Sequence, residues 1–280
     1  MYGLMPRENL KSRTEEEFLM SNRVRDLALT GMLMLIGSAG MLAQTAAPKQ
    51  TANAPAQGIV GVWRRSRRPP DNARRYTFNE LMNLGNDIPP MTAWGEAQFK
   101  AAKPNIGPRS VPLAETNDPV TNCFPPGIPR IYGQRLGAPF EIMQIPGRVI
   151  MYFEYDHFVR QIFTDGRQHS PDLNPSWMGD SIGKWEGDTL VVDTVGFNDK
   201  TWLDSLGHPH SDALHVVERI RRVNRDTMAD DITIDDPKAY SKPWVTHERF
   251  EAEPDWNIVE YVCEDFINFR DLQKISESKK

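Results

Sequence analysis

Along the second half of the chain, short runs of apolar residues are separated by clusters of polar residues. Each run has the length of a strand and is rich in β-branched or aromatic residues. Several are separated by turn pairs, Asp-Gly at 165–166 and Gly-Asp at 187–188 among them. The pattern predicts strands over residues 149–155, 158–164, 189–197, 228–234, 244–251 and 258–263.

Residues 214–223 fit two kinds of element. Val217, Ile220 and Val223 recur at a spacing that would place them on one face of a helix. A strand is favoured because the segment lies among other strands and is followed by residues 224–226, an Asn-Arg-Asp sequence that suits a hairpin turn.

Consecutive short strands with tight connections predict an all-β protein. We expect an antiparallel meander of about eight strands that closes into a lipocalin-like barrel, with a β-sandwich as the alternative. The single β domain is expected to span residues 58–270, and residues 271–280 form a charged tail that we expect to be frayed.

Residues 69–146 have a different composition, with thirteen of the 22 prolines of the chain. Proline is excluded from helix interiors and from central strands, so this region is expected to be ordered loop wrapped over the scaffold. Only residues 92–102 have helical character, with Thr92 as the expected N-cap. Ordered loops of this length are often the walls of a site.

The N-terminal region carries the pattern of an export signal. Arg23 and Arg25 precede an apolar stretch at 27–42 that ends in small residues, which predicts a signal peptide within residues 1–43. Residues 1–19 are polar and acidic, so Met20 is a better start, and an uncleaved membrane anchor is the competing interpretation. Residues 44–57 have the composition of a disordered linker. We therefore expect a periplasmic or secreted protein, with no membrane association after cleavage.

The expected export bears on the redox state of the two cysteines. Cys123 and Cys263 are expected to form a disulfide in an oxidising compartment, against the alternative of two separate buried thiols. The formal net charge of −5 argues against nucleic acid as a partner, because phosphate contacts need a concentrated basic face. The sequence leaves the oligomeric state open.

Acid–base chemistry is the function that the polar residues favour most among specific reactions. His169 or His210 would serve as the base, and Asp165 or Glu154 would orient it. Developing negative charge would be held by Arg160 or Arg167. If the strands at 149–155 and 158–164 pair as a hairpin, Glu154 and Arg160 are expected to lie close across it. The alternative is that these residues form surface pairs and turns.

Other side chains could line a ligand site. Trp177 and Trp185 offer stacking surfaces for an aromatic or carbohydrate ligand, against the alternative of ordinary packing. Ser181 lies in a Gly-x-Ser-x-Gly sequence, but no hydrophobic strand precedes it and no helix is expected to follow, which favours a glycine-flanked loop. His208 and His210 could bind a metal, but turn histidines with local hydrogen bonds are the better interpretation, and no cofactor is expected.

Several motifs together resemble a family of exported bacterial proteins. They are residues 122–130 (NCFPPGIPR), 164–169 (TDGRQH) and 183–194 (GKWEGDTLVVDT), followed by the pairs His210-Ser211 and Glu218-Arg219. The resemblance implies export and a shared architecture, and assigns no catalytic role. A separate analogy, on the Gly-Val-Trp sequence at 61–63, is to lipocalin-like barrels, in which this Trp plugs the closed end.

These observations predict an exported barrel that binds a small organic molecule in a cavity walled by the proline-rich loops. The protein would be a cofactor-independent acid–base enzyme, such as a lyase, isomerase or hydrolase. The alternatives are a non-catalytic periplasmic binding protein and a structural or assembly protein of the cell envelope.

Overall fold

A computed structural model describes residues 58–68, 84–85 and 87–265 of the chain. The predicted signal region, the linker at 44–57 and the tail at 271–280 lie outside these residues. Nine strands form the scaffold: β1 Gly61–Arg65, β2 Phe140–Ile145, β3 Arg148–Phe153, β4 Val159–Phe163, β5 Asp180–Glu186, β6 Thr189–Val195, β7 His215–Asn224, β8 Thr227–Asp235 and β9 Trp244–Ala252.

The strands close into a barrel in sequence order, and β9 pairs with β1 to complete the circle. Closure leaves no sheet edge unpaired, which is the solution available to a meander of short strands. The prediction of an all-β barrel is confirmed, and residues 214–223 form a strand within β7. The described residues form nine strands where about eight were expected.

One pair of strands departs from the expected antiparallel meander. β4 and β5 run parallel, because the connection over residues 164–179 returns the chain to the end where β4 began. β5 itself was missed, since its glycine and Trp-Glu-Gly residues suggested a loop. β2 was missed because Pro139 and Pro146 flank the strand without interrupting it, so the loop prediction for 69–146 is wrong there.

An α-helix, α1, spans Ala93–Ala101, and short 3₁₀ helices span Pro119–Asn122, Arg130–Leu136 and Tyr155–His157. Thr92 is its N-cap as predicted, and the Thr92 hydroxyl accepts a hydrogen bond of 3.1 Å from the Gly95 N–H. The helix packs on the β8–β9 connection: a Cβ at Gly95 would lie 2.2 Å from the Ala239 carbonyl oxygen. Only glycine permits so close an approach.

Side chains fill the interior of the barrel. Tyr132, from the proline-rich region, is buried among the aromatic rings of Phe140, Phe153 and Phe250, with ring centroids 5.2 to 6.0 Å from its own. Its hydroxyl donates a hydrogen bond of 2.8 Å to Oε1 of Glu218 on β7. The loop region thus contributes a side chain to the core as well as a wall.

Arg160 and Glu218 form a buried ion pair at the centre of the barrel. Both side chains are at most 1% exposed, and two guanidinium nitrogens of Arg160 bind the two carboxylate oxygens. Burial is the largest single influence and lowers the pKa of Arg160, but the charges of Glu218 and its other neighbours, together with the hydrogen bonds to Glu218, raise that pKa on balance. The guanidinium also donates to the hydroxyl oxygens of Ser181 at 3.2 Å, Tyr132 at 3.0 Å and Thr194 at 3.0 Å, and to the sulfur of Met151 at 3.9 Å.

Asp230 on β8 lies beside this pair and has a different environment. The residue is buried, and neither carboxyl oxygen has a hydrogen-bond partner. Burial raises the pKa of Asp230 well above its ordinary value, and the nearby charge of Glu218 raises it further. Glu248 lies directly opposite on β9 and forms an ion pair with Arg65. Of the three carboxyl groups Glu218, Glu248 and Asp230, Asp230 is therefore the one without an ion-pair partner.

We expect Asp230→Asn to stabilise the protein at neutral pH. The pKa of Asp230 is higher in the folded protein than in the unfolded chain, so stability is lost as pH rises above about 4, the ordinary value for aspartate. The amide cannot ionise, so the variant should be more stable than the wild type near neutral pH, and the difference should vanish below about pH 4. Urea unfolding of the wild type and of the variant, near neutral pH and below about pH 4, measures this difference in stability.

Asp231 provides the matched control in the next position. Partial burial would raise its pKa, but hydrogen bonds from His247 and Arg221 lower it on balance. Asp231→Asn should therefore give no gain at neutral pH. A gain for Asp230→Asn that is equal at both pH values would contradict the interpretation, because it could not come from ionisation.

Cys123 and Cys263 form the predicted disulfide, with their Cα atoms 5.6 Å apart. The expected strand at 258–263 is wrong, because its alternate N–H groups donate to side chains of the segment 154–157. Val259 donates to Glu154 Oε2 at 3.3 Å, Tyr261 to His157 Nε2 at 3.4 Å and Cys263 to Asp156 Oδ1 at 3.0 Å. This segment is thus fastened to the outside of the barrel without joining the sheet.

Within the described ranges, no helix has both the length and the apolar character needed to cross a bilayer.

Candidate functional site

His169, the first predicted base, lies between two carboxylates. Its Nδ1 is 2.6 Å from Asp180 Oδ2 and its Nε2 is 3.2 Å from Asp193 Oδ1, and Nε2 of His215 is 3.0 Å from the same Asp193 oxygen. The predicted partners Asp165 and Glu154 do not orient it. Both ring nitrogens are engaged, so a ligand would have to displace a carboxylate to reach this imidazole.

His210, the second predicted base, is buried. Its Nδ1 lies 3.1 Å from the carbonyl oxygen of Ser211, and burial lowers its pKa. The neighbouring Ser211 donates from its N–H and its hydroxyl to Asp236, at 2.6 and 2.8 Å. These bonds join the connection between β6 and β7 to the connection between β8 and β9 at one end of the barrel. They fix the position of the loop segment around His210, which is part of the same connection as the site described below.

The predicted contact between Glu154 and Arg160 is wrong, although β3 and β4 form the expected hairpin. Arg160 pairs with Met151 in the register, which leaves Glu154 beyond the end of the ladder. Glu154 instead accepts a hydrogen bond of 2.7 Å from Trp256 Nε1 on the outside. Arg160 does point inward, but its carboxylate partner is Glu218.

The remaining predicted site residues are dispersed. Arg167 and Asp165 form an exposed ion pair in the turn after β4. Trp177 stacks on Phe124, with ring centroids 5.4 Å apart, and Trp185 packs against the core from β5. Ser181 is buried on β5, where its hydroxyl accepts from Arg160, and is not in a loop as expected. These residues do not form a common site.

His208 forms a dyad with Asp204 in the β6–β7 connection. Its Nδ1 is 2.5 Å from Asp204 Oδ2, and the N–H groups of Leu206 and His208 donate to Asp204 Oδ1 at 2.9 and 3.2 Å. Asp204 is 3% exposed and His208 14%. Nε2 of His208 has no hydrogen-bond partner among the described residues. The dyad therefore presents one unoccupied imidazole nitrogen.

His208 borders a cavity of about 460 Å³, within the usual size range of ligand pockets. The cavity lies between α1 and the segment that precedes it. Its wall is mostly apolar, with Glu96 and Lys100 on the exposed rim, and the apolar residues that line it are Ile88, Pro89, Pro90, Met91 and Phe99. A mainly apolar pocket with one oriented polar group is the common form of a small-molecule site.

Arg109 joins the two walls of this pocket. Its guanidinium lies 3.6 Å from the centre of the Phe99 ring, and the His208 ring stacks on Phe99 with centroids 4.9 Å apart. The same guanidinium donates to the carbonyl oxygens of Phe99 at 2.6 Å and Leu206 at 2.9 Å. Gly207, with a φ of +91°, lets the loop approach Ala102, where a Cβ would lie 2.9 Å away.

The sequence indicated this pocket only in part. His208 was considered as a metal ligand, and proline-rich loops were expected to form the wall. Asp204 was missed because it lies four residues before His208 in a Gly-containing loop with no helical or strand spacing. A turn carboxylate that precedes a histidine is the signal that could have found it.

The sequence suggested metal binding by His208 and His210, but their rings have different partners. His208 contacts Asp204, and His210 contacts the Ser211 carbonyl oxygen. In the part of the chain that the structure describes, no group of three or more His, Cys, Asp or Glu side chains is arranged to hold a metal ion.

Comparison of the chain with known protein families and with curated proteins gives no match in either case.

Proposed function

We propose that the protein is an exported barrel that binds a small organic molecule in the pocket between α1 and His208, and that His208 acts on it as a general base. The observation that carries the proposal is the dyad: a buried carboxylate holds Nδ1 of an imidazole that borders a pocket and whose Nε2 has no hydrogen-bond partner among the described residues. The predicted acid–base chemistry is thereby assigned to His208, since neither His169 nor His210 combines an unoccupied nitrogen with this pocket.

The chemistry follows from the protonation state of the dyad. Two backbone N–H groups donate to Asp204, and an ionised carboxylate can only accept hydrogen bonds. Nδ1 of neutral His208 therefore carries the proton, and Nε2 holds a lone pair. Nε2 takes a proton from the attacking oxygen, of a water or of a ligand hydroxyl, as that oxygen bonds to an acyl carbon. Asp204 stabilises the imidazolium, and the proton returns to the leaving oxygen as the bond between that oxygen and the acyl carbon breaks.

Export belongs to the same proposal. Disulfides persist in oxidising compartments, so the bridge between Cys123 and Cys263 supports a periplasmic or secreted location. The resemblance of the sequence motifs to exported bacterial proteins supports it independently.

A carrier that holds its ligand inside the barrel, as lipocalin-like proteins do, is less well supported. Tyr132 and the aromatic rings around it occupy one part of the interior, and the Arg160–Glu218 pair occupies another. The similarity to lipocalin-like barrels at Trp63 is limited to the burial of this side chain. Its Nε1 donates a hydrogen bond of 2.8 Å to the Ile59 carbonyl oxygen. The pocket beside α1 lies outside this packed interior.

Hydrolysis of p-nitrophenyl acetate tests the general base. The ester is small enough for the pocket, and its release of p-nitrophenol is followed by absorbance. General-base catalysis contributes about 100-fold or more, so His208→Ala should lose at least that factor in kcat/KM.

His247 is the matched control for this experiment. Its Nδ1 is 2.7 Å from Asp231 Oδ1, but the imidazole is 70% exposed and belongs to β9, away from the pocket-lining residues. His247→Ala should keep the wild-type rate. A wild-type protein no faster than His208→Ala would show that His208 is not a base for this reaction.

A further inference from the structure

The tautomer of His208 restricts which ligands can use the pocket. Asp204 accepts three hydrogen bonds, from two backbone N–H groups and from Nδ1 of His208, and is 3% exposed. With its proton held on Nδ1, a neutral imidazole is purely an acceptor at Nε2. A ligand group that binds at Nε2 must therefore be a hydrogen-bond donor.

The rest of the pocket sets the shape and polarity of the ligand. Pro89, Pro90 and Met91 present apolar surface without hydrogen-bond donors in their side chains. His208 and the Arg109 guanidinium both stack on the Phe99 ring, which reduces the ring surface that is open to a ligand. The wall thus suits a compact apolar ring, which fills the volume through contact and dispersion.

Resting on the proposed function, we propose that the ligand class is a small ring-bearing alcohol or phenol, bound with its hydroxyl donating to Nε2 of His208. The apolar wall holds the ring, and the hydroxyl is the group from which the base would take its proton. A carboxylate is disfavoured, because its oxygens would face the Nε2 lone pair and the charge of Asp204 behind it.

Three probes of similar size separate the parts of this proposal: phenol, anisole and toluene. Each is titrated into the full-length protein at neutral pH, and binding is followed by the NMR signals of the Met91 methyl group and the His208 ring. One hydrogen bond in a partly exposed site changes affinity by about 5- to 10-fold, so phenol should bind tighter than anisole and toluene by that factor. The long-range ¹⁵N spectrum of the His208 imidazole should show Nδ1 protonated.

Asp204→Asn tests the origin of the preference. The amide side chain can donate as well as accept, so the His208 tautomer is no longer held and the phenol-to-anisole ratio should fall toward one. His247→Ala should leave the ratio unchanged. If Asp204→Asn does not fold, the three-probe comparison in the wild-type protein still decides the proposal.

The possible failures are distinguishable. Anisole or toluene binding as tightly as phenol would overturn the hydroxyl preference while leaving the pocket as a small-molecule site. Benzoate, titrated in the same way as a fourth probe, would overturn the hydroxyl preference in favour of an anionic ligand if it bound tighter than phenol. Binding of none of these probes at Met91 or His208 would reject the pocket itself, and with it the proposed function.

Discussion

Arg160→Met should lower the free energy of unfolding by about 3–5 kcal/mol, because it leaves Glu218 as a buried carboxylate without its cation. The Glu218 side chain is fully buried, and its other hydrogen bond comes from the neutral hydroxyl of Tyr132. Methionine fills a similar volume, so the loss reports the missing charge more than a cavity. Equilibrium urea unfolding followed by Trp fluorescence measures it.

Two further variants show whether charge is the cause. Arg167→Met removes an arginine from an exposed pair with Asp165 and should change stability little. The double variant Arg160→Met/Glu218→Leu removes both buried charges and should recover most of the lost stability. A double variant no more stable than Arg160→Met would mean that the loss comes from packing or from the hydroxyl groups around Arg160.

Replacing both cysteines by serine should lower the free energy of unfolding by about 5 kcal/mol on the chain-entropy account. The reason is the 140-residue separation of Cys123 and Cys263, since a bridge that closes so long a loop strongly restricts the unfolded chain. Urea unfolding of the oxidised wild type and of the double variant gives the difference.

Dithiothreitol provides the control for this pair. It should lower the stability of the wild type to that of the double variant and leave the double variant unchanged. A wild type that unfolds at the same urea concentration with and without reductant would show that the bridge does not contribute to stability.

Most of the barrel could be predicted from the sequence, because strands that bury one face carry an alternating pattern. β8, for example, alternates between the buried Met228, Ile232 and Ile234 and more exposed residues. The pattern failed for β5, where Gly183 packs inward: a Cβ there would lie 2.7 Å from an Ile162 methyl group. A glycine that faces the core looks like a turn residue when only the sequence is considered.

The partners of the polar residues could not be predicted in the same way. Arg160 was expected to face Glu154, six residues away, but its partner Glu218 lies 58 residues later in the chain. His208 was considered with His210, yet the residue that orients it is Asp204. Hydrogen-bond partners depend on the strand register and on the path of the loops. A shift of the register by one residue turns each side chain to the other face of the sheet and so changes its partners.

The sequence by itself determined the all-β class, the strand positions with an alternating pattern, the N-cap of α1 and the cysteine pair available for a disulfide. These follow from local rules of backbone geometry, side-chain periodicity and composition. Only the tertiary structure decided that β4 and β5 run parallel, that Tyr132 enters the barrel, and that His208, Asp204 and α1 share one pocket. Each of these depends on contacts between distant segments, because the free energy of burying a polar group or lining a cavity is set by neighbours that the local sequence does not contain.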